Sequence, residues 1–407
     1  MSFDKLIHSR SALAEQSFRR YFVGACQHTL GMWIIRFLVG WIAWDLTRTA
    51  FWVGIVSACM LFPTMLLSPL FGVLSDRINT RNGLLCTLSA LFLVSVMATI
   101  IIASGWLTLG VLVMLALLVG AITSAHGPLR LALMPRLVSR ERLPSAIGLS
   151  AVVFNTSRIF GPMIAGFIIA KTSSTVAFGL AALLFAGGVI SMLSVYVTDN
   201  TKRSIKAGMF ADLYEGVHFA LTTPAIRLIL SLVLVNALLG RVVIELLPAV
   251  SGKLLNGTAT TLATLTAAAG AGSVIGGLLL TRLRDNEAVM LRMALISLTS
   301  ACLVVLPIGW TGTLWLLALF IGYLAMATTM VGTGSQALAQ FIVKDEFRGR
   351  VMSLWSMVAM GAPSLGGFVM GALVDLWGFG PTLASFSLIA FVALIYLRKQ
   401  GSRVALV

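Results

Sequence analysis

Residues 31–44 read GMWIIRFLVGWIAW, an apolar run with tryptophans near both ends and one arginine, Arg36, in its middle. The run belongs to a longer apolar stretch over residues 21–44, and similar stretches follow along the whole chain. An α-helix needs about 20 apolar residues to cross the hydrocarbon core of a bilayer. Each stretch is long enough, so the sequence predicts membrane-spanning helices.

Composition points the same way. Of the 407 residues, 58% are hydrophobic and 11% are charged, and the mean hydropathy is +0.99. The short alternating segments of a membrane β-barrel, about 10 residues each, do not occur in the sequence. We therefore predict an all-α membrane protein. Its twelve spans fall near residues 21–44, 51–74, 84–104, 107–130, 146–170, 176–197, 225–249, 261–281, 288–309, 313–335, 350–374 and 380–397.

The net charge of +15 is unevenly distributed along the chain. Lysines and arginines concentrate in alternate connections between the spans, and the opposite connections carry only Arg48, Lys171 and Lys253. Loops rich in Lys and Arg stay in the cytoplasm. The charge therefore reports membrane topology and predicts both termini in the cytoplasm, with the lipid bilayer and no nucleic acid as partner.

An internal repeat divides the chain into halves. At a constant offset of 205 residues, Gly72 aligns with Gly277 and Arg77 with Arg282, and a polar stretch separates six spans from six. This predicts two pseudo-symmetric six-helix bundles from one duplicated unit. The predicted boundaries are a cytoplasmic N-terminal segment at 1–20, bundles at 21–197 and 225–397, a linker at 198–224 and a cytoplasmic tail at 398–407.

Charged residues inside the spans are candidates for function. Arg36 aligns with Arg241 at the same offset, Glu245 lies one turn after Arg241, and Arg158 follows Asn155 in the fifth span. A charge at the bilayer centre costs about 2.5–3.5 kcal/mol, so such residues usually face an interior cavity. We expect Arg241 to pair with Glu245 and the excess of arginine to select an anionic solute. The alternative is structural: helix carbonyls or a carboxylate satisfy each arginine.

The segment GVLSDRINTR, residues 72–81, resembles the loop motif of the major facilitator superfamily. Gly72, Asp76, Arg77 and Arg81 match that motif, while Asn79 replaces a glycine, although asparagine can still adopt a left-handed conformation. The resemblance covers essentially the whole chain. It implies the major facilitator fold, in which this loop latches the two halves in one gating state.

The fifth span is similar to the antiporter motif of the same superfamily. Gly148, Gly161, Pro162 and Gly166 match it, and small residues there permit close helix packing. The flanking sequence most resembles the drug-proton antiporter branch, which contains macrolide and siderophore exporters. This resemblance implies export from a bacterial inner membrane, driven by the proton gradient without a cofactor.

These observations predict a monomeric transporter that exports a small amphipathic anionic solute, such as a siderophore, in exchange for protons. Glu245 and Asp45 are the candidate proton carriers. Macrolide or multidrug efflux and lysophospholipid transport are alternatives. An enzyme would need clustered acid, base or metal-binding groups, whereas His28 and His126 are each interpreted as isolated histidines. We therefore expect neither catalysis nor a metal site. A structural or sensory membrane protein would not need symmetric buried charges.

Overall fold

The computed structural model describes residues 11–75, 78–196, 222–281, 287–343 and 345–401, whose regular structure is helical throughout. Within these residues, twelve helical segments are long and apolar enough to cross a membrane. The prediction of an all-α fold with twelve spans is therefore confirmed. The predicted N-terminal segment and tail lie largely outside the described residues.

One helix forms each of the first six spans. They are α1 (Gln16–Thr47), α2 (Ala50–Ser75), α3 (Thr80–Ala103), α4 (Leu109–Leu137), α5 (Leu143–Lys171) and α6 (Ser174–Leu193). Polar caps fix several of their starts. Before α6, the hydroxyl of Ser173 accepts a hydrogen bond from the Val176 amide at 3.4 Å, which satisfies one of the free amides of the first turn.

The second half contains an interrupted seventh span. Helix α7 (Pro224–Asn236) passes into a π-helical segment (Ala237–Arg241) and then into the short α8 (Val242–Glu245). The remaining helices are α9 (Leu247–Leu255), α10 (Ala259–Thr281), α11 (Glu287–Ile308), α12 (Leu314–Ile342), α13 (Asp345–Trp377) and α14 (Phe379–Gly401). Single π turns often occur at functional sites, and this one ends at Arg241, one of the predicted site residues.

The first and seventh spans are the most buried of the twelve. In each, 61% of the most apolar stretch is buried, against 33–44% in the other ten. In the other ten spans more than half of this stretch is not buried, whereas in the first and seventh spans most of it is packed against protein. The two spans align at the 205-residue offset, so burial follows the internal repeat.

Two compact units emerge from the internal contacts. Unit 1 contains Met1–Ile42 and Pro63–Ser204, and unit 2 contains Ala43–Phe62 and Ile205–Val407. The end of α1 and the start of α2 therefore pack with the second half of the chain. The domain boundaries drawn from the sequence remain a prediction, since most of the predicted linker lies outside the described residues.

Each unit contains an equivalent close contact at a glycine. A Cβ atom on Gly161 in α5 would lie 2.6 Å from the Cβ of Trp33 in α1. A Cβ atom on Gly366 in α13 would lie 3.0 Å from the Cδ2 of Leu238 in the seventh span. Both members of the first contact align with those of the second at the 205-residue offset. The two units share this element of helix packing.

Candidate functional site

Two of the predicted arginines lie beside one tryptophan in unit 1. The Cζ atom of Arg36 is 5.7 Å from the ring centroid of Trp33, and the Cζ atom of Arg158 is 5.6 Å from it. Arg158 is only 9% exposed, and Arg36 is half-buried. Both guanidinium groups are within cation–π range of the indole, where such contacts gain strength as water is excluded.

An aromatic neighbour completes this group of side chains. Phe154, one turn before Arg158 on α5, meets the Trp33 ring edge-on, with centroids 5.6 Å apart and an interplanar angle of 69°. We call Trp33, Arg36, Phe154 and Arg158 the arginine–tryptophan cluster. It combines two positive charges with an apolar aromatic surface, which is the chemistry that an amphipathic anion needs.

The glycine motif of α5 positions this cluster. Gly161 allows α5 to approach the backbone of α1 at Trp33, and Arg158 lies one turn before it on the same helix. Pro162 lies inside the helix, and Gly166 is buried. Gly148 differs, because a Cβ atom there would meet no atom within 4 Å. Of the motif glycines Gly148 and Gly161, it is therefore Gly161 that makes the close helix contact, and this contact brings Trp33 and Arg158 together.

The second half carries an ion pair instead of a tryptophan. The Nε of Arg241 lies 3.2 Å from Oε1 of Glu245, as their spacing of four residues predicts. The Glu245 side chain is only 6% exposed and the Arg241 side chain 30%. From α2, the hydroxyl of Ser57 donates to the backbone oxygen of Glu245 at 3.5 Å. Glu245 is thus a buried carboxylate whose charge Arg241 balances.

Two further predicted residues make different contacts. The side-chain amide of Asn155 donates to the backbone oxygen of Ala151 at 2.9 Å, within its own helix. Asp45 pairs with Arg48 at 2.5 Å, and both side chains are exposed, at 51% and 62%. These exposures place Asp45 at a solvated end of α1. The helix ends at Thr47, and the chain turns at the next residue, Arg48, which has a φ of 53°.

The loop motif is only partly described. Asp76 and Arg77 lie outside the described residues, as do the surroundings of Gly72. Arg81 donates through Nη2 to the backbone oxygen of Leu193 at 2.7 Å, which ties the start of α3 to the end of α6. Asn79 does not adopt a left-handed conformation: its φ is −65°, and its side chain caps α3 by accepting from the Asn82 amide at 3.1 Å.

The interpretation of the two histidines as isolated residues was wrong. His28 on α1 and His126 on α4 stack with ring centroids 3.7 Å apart and an interplanar angle of 15°. They are 98 residues apart in the sequence, and no local pattern indicates that α1 and α4 are neighbours. The structure therefore adds a stacked histidine pair, with His126 buried and His28 half-buried, to the candidate groups in unit 1.

A further acidic residue was missed because it lies just beyond a predicted span. Asp375, in the last turn of α13, accepts hydrogen bonds from the backbone amides of Ala50 at 3.0 Å and Phe51 at 2.8 Å. It also pairs with Lys253 at 2.5 Å. Asp375 thus caps the start of α2, and its only signal in the sequence is a carboxylate at the end of an apolar run.

Comparisons with known proteins agree with this architecture. The chain is similar to the staphyloferrin A transporter of Staphylococcus aureus (strain NCTC 8325 / PS 47), at 24% identity over 361 residues, 87% of this chain and 89% of that protein. A solved structure of the nucleoside transporter NupG matches with a TM-score of 0.75 at 11% identity, over 95% of this chain and 99% of that one. The human organic anion transporter MFSD10 (TETRAN) matches with a TM-score of 0.68 at 18% identity, over 93% and 98%.

At these identities the solved structures establish the fold alone. The family profile described as transmembrane secretion effector matches residues 7–403, nearly the entire chain. Twelve membrane-spanning helices and two internally related halves are in accord with that match. The chain therefore belongs to the transmembrane secretion effectors of the major facilitator superfamily, and is a multi-pass membrane transporter of small molecules.

Proposed function

We propose that this protein is a monomeric exporter that moves a siderophore or similar amphipathic anion out of a bacterial cell in exchange for protons. It would lie in the inner membrane with both termini in the cytoplasm. The six-helix bundles predicted at 21–197 and 225–397 would alternate access to the solute. The observation that carries the proposal is the arginine–tryptophan cluster.

The charges of this cluster favour an anion. Arg36 and Arg158 both lie within 6 Å of the Trp33 ring centroid, and like charges repel more strongly where water is excluded. An anionic group beside them offsets that repulsion and accepts charge-assisted hydrogen bonds, which are the stronger kind. The rings of Trp33 and Phe154 offer apolar surface to the rest of an amphipathic molecule.

The comparison with a named relative supports the class of solute. The relative is a staphyloferrin A transporter, and the similarity extends over 87% of this chain. Staphyloferrin A is a siderophore, the same class that the flanking sequence of the antiporter motif suggests. We therefore take staphyloferrin A as the first solute to test.

The ion pair of the seventh span is the proposed coupling element. Removing one partner of a buried ion pair leaves an uncompensated charge. Protonation of Glu245 would neutralise the carboxylate that balances Arg241. The guanidinium group of Arg241 could then donate hydrogen bonds to another acceptor. An anionic solute is such an acceptor, so proton binding and solute binding would be linked through Arg241.

The experiment is accumulation of radiolabelled staphyloferrin A in energised everted membrane vesicles, with and without an uncoupler. We expect uptake by the wild-type protein that the uncoupler abolishes. Arg36→Ala and Arg241→Ala should remove uptake, and Glu245→Gln should leave only uncoupled exchange. The matched control is Lys171→Ala, which removes an exposed cation at the end of α5, the helix that carries Arg158.

Competing solutes test the assignment directly. A labelled macrolide and a labelled lysophospholipid are offered to the same vesicles. Uptake of either, unaffected by the loss of Arg36 and Arg241, would contradict the siderophore assignment. The arginines would then have a structural role.

A further inference from the structure

Unit 1 contains a group of buried and half-buried polar side chains that the proposed function does not use. It consists of Tyr21 and His28 on α1 and His126 and Arg130 on α4, and we call it the histidine cluster. His126 is 7% exposed and Tyr21 5%. Among the described residues, neither the Tyr21 hydroxyl nor Nε2 of His28 has a hydrogen-bond partner, and both atoms are buried. A buried polar atom without a hydrogen-bond partner lowers the stability of the fold, so a ligand that forms hydrogen bonds to this cluster would stabilise it.

The hydrogen bond of His126 indicates which nitrogen carries its proton. The Thr87 hydroxyl has one hydrogen, and it donates to the backbone oxygen of Leu84 at 2.9 Å. With that hydrogen directed to Leu84, Thr87 accepts from Nδ1–H of His126 in their 3.0 Å contact, and we assign His126 this tautomer. A neutral imidazole carries one hydrogen, so Nε2 of His126 retains a lone pair. This nitrogen is a proton acceptor inside the bundle.

The space beside the rings admits water but no solute. The cavity has a volume of about 20 Å³, and about 10–15 Å³ suffices for one water molecule. The titratable and charged side chains that line it are those of the histidine cluster. From α3 and α6 the lining side chains are apolar or absent: Leu84, Leu88, Gly188 and Met192. No carboxylate lines it, so the ligands that fit are water and a proton.

The second half shows that packing alone does not require histidines here. At the 205-residue offset, His28 aligns with Val233 and His126 with Val331. These valines are 2% and 0% exposed. The related unit therefore fills the same positions with apolar side chains, which avoids the desolvation cost of imidazoles. The polar groups of unit 1 exceed what the fold demands.

We propose that the stacked His28–His126 pair is a second proton-binding site of the transporter, separate from Glu245. A hydronium ion in the adjoining cavity transfers a proton to the lone pair on Nε2 of His126 and becomes a neutral water molecule. The proton returns to water at the end of the transport cycle, and no other bond changes. Arg130 on the cavity wall repels the bound proton, which favours its release. This inference rests on the proposed proton-coupled function.

The first test separates proton coupling from solute movement in proteoliposomes. Counterflow of labelled staphyloferrin A needs no proton gradient, whereas accumulation driven by a pH gradient does. His126→Asn retains an amide that can donate to Thr87 but cannot bind a proton at neutral pH. We expect this variant to accumulate no more solute than wild type treated with an uncoupler, and to lose less of its counterflow. Equal losses in both assays would overturn the proposal.

Two further variants guard against a simple packing defect. The double variant His28→Val and His126→Val places in unit 1 the side chains that unit 2 already packs at these positions. It should fold and should also lose gradient-driven accumulation. His218→Gln, which changes a histidine of the predicted linker, is the control and should behave as wild type. Coupled accumulation by the double valine variant would overturn the proposal.

A direct measurement does not depend on the solute. The chain has 4 histidines, and replacing His8 and His218 with glutamine leaves the stacked pair alone for ring-nitrogen NMR. We expect His126 to carry its hydrogen on Nδ1 when neutral and one ring to gain a proton as the pH is lowered over the range in which the protein stays folded. Rings that stay neutral throughout would overturn the proposal. A wild type that titrates yet moves no staphyloferrin A would instead contradict the proposed function.

Discussion

The two halves share a packing frame but carry different chemistry on it. In unit 1, Gly161 packs on Trp33, and Arg36 and Arg158 flank that ring. In unit 2, Gly366 packs on Leu238, and Pro363 takes the position that aligns with Arg158. The frame therefore tolerates either an arginine or a proline at that position. This difference teaches that the buried charges are not requirements of the fold.

A second difference concerns the balance of charge. Arg36 and Arg241 align, but Glu245 aligns with Gly40, so the carboxylate that pairs with Arg241 has no counterpart at the equivalent sequence position of the first half. Unit 1 presents two arginines to one indole. We infer that unit 1 supplies the positive charge that binds the solute, and that the seventh span supplies the carboxylate that binds the proton.

The largest expected effect comes from breaking the frame itself. Gly161→Val would force a side chain against the Cβ and backbone of Trp33, which cannot move as a side-chain end can. Overpacking of this kind costs about 1–3 kcal/mol. We expect a lower midpoint of thermal unfolding in detergent and loss of transport. Gly366→Val should cost less, because its neighbours are the flexible ends of Val242 and Leu238.

Gly148→Val is the matched control, since a Cβ atom there meets nothing within 4 Å. All three changes replace a helical glycine by the same residue, so differences among them report packing. Equal destabilisation at Gly148 and Gly161 would contradict the role of Gly161 in helix contact.

The next effect concerns solute affinity in unit 1. Arg158→Gln removes a charge, and hydrogen bonds to charged groups contribute about 1.5–3 kcal/mol, a change of roughly ten- to hundredfold in Kd. The position equivalent to Arg158 is a proline in unit 2, so folding should survive. Equilibrium binding of labelled staphyloferrin A to the purified protein measures the effect. Arg48→Gln is the control, and an equal loss there would show that bulk charge is responsible.

A smaller effect is expected from the ion pair of unit 2. Glu245→Leu leaves Arg241 without its carboxylate, and breaking a buried pair costs about 3–5 kcal/mol. The cost here should fall below that range, because the Arg241 side chain is 30% exposed and water partly solvates it. The double variant with Arg241→Leu should recover stability. Thermal unfolding of both single variants and the double variant gives the coupling, and strictly additive losses would contradict the pairing.

The smallest effect separates the two contacts of Asp375, whose equivalent in the first half is Ala170. Asp375→Asn loses the charge and keeps one of the two acceptor oxygens, which can serve the amide of either Ala50 or Phe51. Asp375→Ala loses the charge and both oxygens, and a helix cap contributes about 1 kcal/mol. We expect the alanine variant to have the lower unfolding midpoint. Equal midpoints would assign the whole effect to the ion pair with Lys253.

The features predicted from the sequence were those with local signals. The twelve spans follow from the length of apolar runs, and the Arg241–Glu245 contact follows from a spacing of four residues on one helix. The glycine motif indicated close packing in α5. Its partner Trp33 could not be named, because a single sequence gives the apolar face of a helix but not the helix that covers it.

The features that were missed depend on contacts between distant parts of the chain. His28 and His126 meet only because α1 and α4 are neighbours in unit 1. Asp375 reaches Ala50 across 325 residues of sequence. Asn79 replaces a glycine of the family motif, where a left-handed conformation is possible for asparagine. It instead caps α3, since an Asn side chain can accept from a first-turn amide.

The π-helical segment Ala237–Arg241 has a consequence for the angular position of the residues that follow it. A π turn contains one residue more than an α turn, and one residue corresponds to about 100° of rotation about a helix axis. Deleting one residue from this segment would restore a continuous α-helix and swing Arg241 and Glu245 by that angle relative to Thr328 and the rest of α12. The length of the π-helical segment therefore determines the direction in which the side chains of Arg241 and Glu245 point.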